Sequence, residues 1–154
     1  MSSMSKDPKS HIILDEFWPY QAVVLADQIS RHTLNVVRSE ADLNLSQWRV
    51  LAAVAEEPGR TAAQVTAITP MDKTIVSRAV SSLIALGLIT KVSDVSDKRR
   101  SSLSATRAGK EIYETVARHL NNALMEEADA TQSPEEFTSM LKAFTDKLKK
   151  LNAS

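Results

Sequence analysis

Residues 69–109 read TPMDKTIVSRAVSSLIALGLITKVSDVSDKRRSSLSATRAG, and the order of elements in that stretch decides the fold. Thr69-Pro70 restarts the chain, with the proline placed for the first turn of a helix. That helix is expected to run to about Leu86 and to stop at Gly87, a natural glycine just past a helix end. Val76, Ala79, Val80, Leu83 and Leu86 recur at helical spacing and form its core stripe. Thr74, Ser77, Arg78 and Ser81 lie at i, i+3, i+4 and i+7, so they share the opposite face, with Lys73 near its start. Leu88 to Val92 is β-like, Ser93 to Arg100 is polar and turn-rich, and Ser101 to Ala105 can return as the partner strand. Thr106 then caps another helix.

Outward from this stretch the pattern is helical on both sides. Upstream, Thr61 and Gln64 stand at capping-box spacing before a short helix to about Ile68. Ser46 is the expected N-cap of a helix carrying Trp48, Val50, Leu51 and Val54, which ends at Pro58-Gly59. A longer helix starts near Asp15 or Glu16, tolerates Pro19 in its first turn, and carries Trp18, Ala22, Leu25, Ile29, His32 and Val36 as an apolar stripe to about Arg38. Downstream, Ile112, Val116, Leu120 and Ala123 mark the fifth helix. Ser133-Pro134-Glu135-Glu136 then starts a last one bearing Phe137, Leu141, Phe144, Leu148 and Leu151. The fold class is therefore mainly α: a helix-turn-helix followed by a two-stranded β wing, flanked by a helical dimerisation region. The expected division is a flexible tail at 1–12, an N-terminal dimerisation helix at 13–42 and C-terminal dimerisation helices at 107–154, whose apolar stripes a second copy can bury, with the winged helix-turn-helix lobe at 43–106 between them.

The chain is 154 residues long, 43% hydrophobic, and has three glycines and no cysteine. It can bury a core, and it has no disulfide, thiolate metal site or thiol nucleophile. His11, His32 and His119 are far apart, and no short His/carboxylate metal motif accompanies them, so no metal or cofactor is expected. With no apolar start and no membrane-length apolar run, the reading is a cytoplasmic protein without a membrane partner. An enzyme is disfavoured by the missing nucleophile constellation, metal cluster and Gly-rich phosphate loop. The zero net charge hides a pattern. Residues 1–59 carry five basic and eight acidic side chains, residues 60–110 nine and three, and residues 111–154 five and eight. A basic middle third is the electrostatic footprint expected of a nucleic-acid contact.

Within that third, the hydroxyl-rich face with Arg78 has no acid after Asp72. A major groove about 12 Å wide admits such a helix, where hydroxyls meet phosphates or base edges and an arginine can fork onto guanine. Lys98, Arg99 and Arg100 are adjacent cations at or near the hairpin tip, able to enter a minor groove or span phosphates. Asp97, two residues before Arg99, is placed to pair with an arginine and orient the wing. Spacing alone does not choose between Arg99 and Arg100.

At these residues the sequence resembles the MarR family of winged helix-turn-helix transcription regulators. Leu45-Ser46-Gln47-Trp48-Arg49-Val50-Leu51, Pro58-Gly59-Arg60-Thr61, Asp72-Lys73-Thr74-Ile75-Val76-Ser77-Arg78, Leu86-Gly87-Leu88-Ile89 and Asp97-Lys98-Arg99-Arg100, with Leu103, Thr106 and Gly109, carry the likeness. Thr66, Lys91 and Ala105 depart from it without removing a DNA-contact type. The resemblance implies a homodimer on double-stranded DNA, with Ser77 and Arg78 as groove readers, Arg99 as the wing-tip arginine and Asp97 orienting the wing. It also implies a repressor released by a small ligand bound between the dimer arm and the DNA-binding lobe. Trp18, His32, Trp48 and Arg49 are the candidates for that ligand, since an aromatic wall with a cation suits a small aromatic or anionic effector. The competing reading is a winged helix used for protein interaction or chromosome architecture, without a small-molecule response.

Overall fold

The computed structural model describes residues 9–93, 95–96, 100–125 and 133–154. After a single 3-10 turn at Leu14–Glu16, helix α1 spans Trp18–Ala41, α2 Leu45–Glu56, α3 Ala62–Ile68 and α4 Lys73–Ala85. Strands β1 (Ile89–Ser93) and β2 (Ser101–Ala105) form an antiparallel pair with Ile89 opposite Ala105 and Ser93 opposite Ser101. Helices α5 (Arg107–Met125) and α6 (Pro134–Asn152) complete the chain.

Several boundaries differ from the sequence reading. Asp15 and Glu16 belong to the 3-10 turn, and α1 begins at Trp18 with Pro19 in its first turn. The cap of α2 is Asn44, not Ser46. The Asn44 side chain accepts from the Gln47 N–H at 2.8 Å, and the Asn44 N–H donates back to Gln47 Oε1 at 2.8 Å, so a reciprocal box two residues earlier wins over a lone hydroxyl. Pro70 does not open α4. Asp72 caps it, accepting from the Ile75 N–H at 2.8 Å, and a carboxylate at that end also suits the helix dipole. Thr61 and Ser133 cap α3 and α6 as the sequence predicted.

The core gathers on the inner faces of α2, α3, α4 and the hairpin. Val50, Leu51, Val54, Val65, Val76, Leu83, Ile89 and Leu103 are fully buried, joined by Val37 of α1 and Val116 of α5. Leu86, expected in this stripe, lies exposed just past the last turn of α4. No charged or polar residue is buried among the described residues.

A joint ties α5 to the end of α4. The Thr106 hydroxyl donates to the Gly87 carbonyl at 2.7 Å and accepts from the Gly109 N–H at 3.1 Å, while the Thr106 N–H donates to the Leu88 carbonyl at 3.0 Å. Gly87 takes φ +71°, and at Gly109 a Cβ would overlap the Leu88 carbonyl. By contrast, α1 and α6 leave much of their apolar surface open: Trp18 and Phe137 are nearly half exposed, and Leu151 more so. Trp18 and Phe144 face each other with ring centroids 4.7 Å apart.

Candidate nucleic-acid interface

Helix α4 is held from behind. Val76, Ala79, Val80 and Leu83 bury its inner face. The half-buried Ser82 hydroxyl accepts a hydrogen bond from Gln47 Nε2 at 2.6 Å, so the residue that completes the α2 cap also grips α4. The outer face is free: Lys73, Thr74, Ser77, Arg78 and Ser81 are all exposed. Neither Lys73 nor Arg78 forms an ion pair among the described residues. The helix is therefore clamped on one side and presents hydroxyls and two cations on the other.

The wing is anchored at its base by residues to which the sequence reading gave no such role. Gly59 N–H donates to the Leu103 carbonyl at 2.8 Å and Leu103 N–H to the Arg60 carbonyl at 2.9 Å, and Thr61 bridges Ser102, so a short third edge lies against β2. The Arg60 guanidinium fixes this edge to the end of α2. It donates from Nη1 to the Ala53 carbonyl and to Glu56 Oε2, both at 2.7 Å, with Glu57 at 3.1 Å from Nη2. The Glu56 hydrogen bond, with the nearby charges of Glu56 and Glu57, raises the Arg60 pKa above its ordinary value against the opposing effect of desolvation. Arg60 follows these acids at i+4 and i+3, a spacing visible in the sequence.

Arg100 is exposed at the entry to β2, beside a shallow recess of about 320 Å³ lined by Thr61, Val92, Ser93 and Ser102. The candidates Asp97, Lys98 and Arg99 lie outside the described residues.

The four ligand candidates do not converge. A cleft of about 430 Å³ between α2, the α3–α4 turn and α5 brings Trp48 and Arg49 together with Glu56, Ile68, Pro70 and Tyr113. Trp48 is buried and stacks on Tyr113 at 5.8 Å, an aromatic partner the sequence reading did not name. Arg49 donates to the Ser30 hydroxyl at 3.4 Å. Trp18 and His32 lie outside the cleft lining. Trp18 packs on Phe144, and His32 has a buried Nε2 with no hydrogen-bond partner.

The profile of the MarR family matches residues 41–100, which cover the helix-turn-helix and the first strand of the hairpin and stop just before β2. Over that stretch the chain is similar to the MarR family. An uncharacterized HTH-type transcriptional regulator of Bacillus subtilis, YybA, is 29% identical over 84 residues, covering 54% of this chain; the chain spans only 56% of that relative's length. Among solved structures, a MarR/EmrR family transcriptional regulator from Acinetobacter superposes with a TM-score of 0.78 at 22% identity, covering 90% of this chain and 99% of the other. A MarR family regulator from Silicibacter pomeroyi gives 0.73 at 20% identity, with 90% and 99% covered. FabT of Streptococcus pneumoniae, solved in complex with DNA, gives 0.63 at 20% identity, with 88% and 94% covered. The relatives and structural neighbours named here are themselves transcriptional regulators, and the fold of this chain is theirs. No described helix is long and apolar enough to cross a membrane.

Proposed function

We propose that the protein is a dimeric, sequence-specific regulator that binds a palindromic operator in double-stranded DNA and is released as a repressor by a small aromatic or anionic effector. The observation that carries this reading is α4: a helix buried behind, capped at Asp72, with Thr74, Ser77, Arg78 and Ser81 on one unobstructed face free of acids. Lys73, Thr74, Ser77, Arg78 and Ser81 meet the major groove, and Lys98, Arg99 and Arg100 serve the wing with Asp97 orienting it. The DNA complex of the structural neighbour FabT supports a duplex as the partner.

Residues 43–106 act as the reading lobe, and residues 13–42 and 107–154 as the arm through which two copies associate. The exposed apolar faces of α1 and α6 support that pairing, since a monomer rarely leaves such a surface uncovered. Trp48, Arg49 and Tyr113 supply aromatic walls and one cation for the effector at the seam between arm and lobe.

Footprinting on genomic DNA, repeated with aromatic carboxylates added, tests this reading. The expected result is protection of an imperfect palindrome, with at least about 10³-fold preference over random DNA and loss of protection on adding an active carboxylate. Binding driven by salt alone, with no preferred sequence, overturns it in favour of an architectural role.

A further inference from the structure

We infer that Thr106 is a positioning residue that fixes how far apart the two reading helices of a dimer stand, and so which half-site spacing the protein accepts; the inference rests on the operator reading above.

In sequence, α4 and α5 are joined only through the hairpin. In space they are spliced directly. Gly87 ends α4 with its N–H on the Ile84 carbonyl, and the Leu88 N–H reaches the Leu83 carbonyl, each at 3.0 Å. Those same two residues offer their carbonyls outward, and Thr106 takes both, Gly87 with its hydroxyl and Leu88 with its N–H. Gly109, one turn into α5, completes the seat. Its N–H donates to the Thr106 oxygen, and its missing Cβ leaves room for the Leu88 carbonyl, with Leu51 Cδ1 at 3.3 Å from where that Cβ would lie.

The Thr106 hydroxyl thus uses its donor and its acceptor at once, joining the end of the reading helix to the first turn of an arm helix. These bonds couple the orientation of α5 to that of α4 directly, without passing through the hairpin. In a two-fold dimer that angle sets the separation of the two α4 helices, and one base pair of spacing is only about 3.4 Å. Removing the hydroxyl leaves the Gly87 carbonyl and the Gly109 N–H without this partner. The face bearing Thr74, Ser77, Arg78 and Ser81 is untouched, so base preference within a half-site stays as it was.

The experiment selects from a duplex library in which two half-sites are separated by varied spacers, using the full-length protein, Thr106→Val, Thr106→Ala and Thr106→Ser. The parent is expected to take one spacing strongly over its neighbours. Thr106→Val and Thr106→Ala remove two hydrogen bonds in each protomer and lower that preference at least about tenfold, with an unchanged half-site consensus. Thr106→Ser keeps the parental ratio. Circular dichroism melts verify folding of each variant. The inference is overturned if a folded Thr106→Val or Thr106→Ala keeps the parental spacing ratio. It is equally overturned if both variants fail to fold, since the hydroxyl is then a requirement of the fold rather than of the spacing. A parent protein that binds DNA but shows no spacing preference overturns the palindromic reading itself, and the inference with it; that failure is recognised because it appears before any substitution is made.

Discussion

On the proposed reading Arg78 and Arg99 serve the DNA contact in different ways, and their substitutions are expected to separate. Arg78 stands on the exposed face of α4 among hydroxyl residues, where an arginine can contact a base edge at two points. Arg78→Ala is predicted to cost about 1–3 kcal/mol in operator affinity and to relax preference at one base pair in each half-site. Competition binding against operators altered one base pair at a time reads both effects. Arg99 is assigned to the minor groove, whose pattern is degenerate and whose potential is negative. Arg99→Ala is predicted to weaken binding across all sequences and to reduce the salt slope by about one, with the consensus unchanged. Asp97→Ala divides two accounts of its neighbour. Loss of an orienting carboxylate weakens binding, whereas loss of a negative charge near DNA strengthens it. The expected direction is weaker; tighter binding of Asp97→Ala in low salt would remove the orienting role.

Among the elements, α2 touches α4, α5 and the base of the wing. Its first turn grips α4 through Gln47 and Ser82, its middle stacks on α5 through Trp48 and Tyr113, and its end holds the wing base through Arg60. The cap at its start offers a direct comparison. Asn44→Ala is predicted to lower unfolding stability by about 1 kcal/mol, and Ser46→Ala to stay within about 0.5 kcal/mol of the parent, both measured by urea denaturation. The periodicity of the chain made the six helices and the hairpin legible, because those patterns reflect burial that each segment meets locally. Caps were less so. Thr61 was readable because Gln64 follows at three residues, yet Asn44 has Gln47 at the same spacing and was hidden behind Ser46, a more familiar capping residue. Pro70 misled because proline suits a first helical turn, while Asp72 could both cap and face the helix dipole. The exposed face of α4 followed from helix phase. Arg60 and Tyr113 did not, since their importance comes from partners on other elements: a wing strand for one, the Trp48 ring for the other. Trp18 and His32 shared the apolar stripe of α1 with residues near the core, and a stripe does not tell which part of a long helix meets a cleft.

On the scale of the whole molecule, the apolar residues divide into two populations. One set closes the lobe around Leu51, Leu83 and Leu103; the other stays open along α1 and α6. Light scattering at micromolar concentration is predicted to give the mass of two chains, and a monomeric mass would count against the arm assignment. The half-sites of the operator are predicted to lie about 34–36 Å apart, one DNA turn, as a footprint of the bound duplex would reveal.

The open apolar surface around the Trp18–Phe144 ring pair has a consequence, on the dimer reading proposed above, for how long the protein survives in a cell. A helix whose apolar side is covered mainly by another copy is only as well protected as that copy is abundant. If two copies pair through this surface as proposed, the α6 segment is predicted to spend more of its time uncovered at low copy number, and proteases that cleave the open form to act in proportion to its population. Turnover then accelerates as the protein grows scarce, so a falling pool of regulator clears faster than dilution by growth alone.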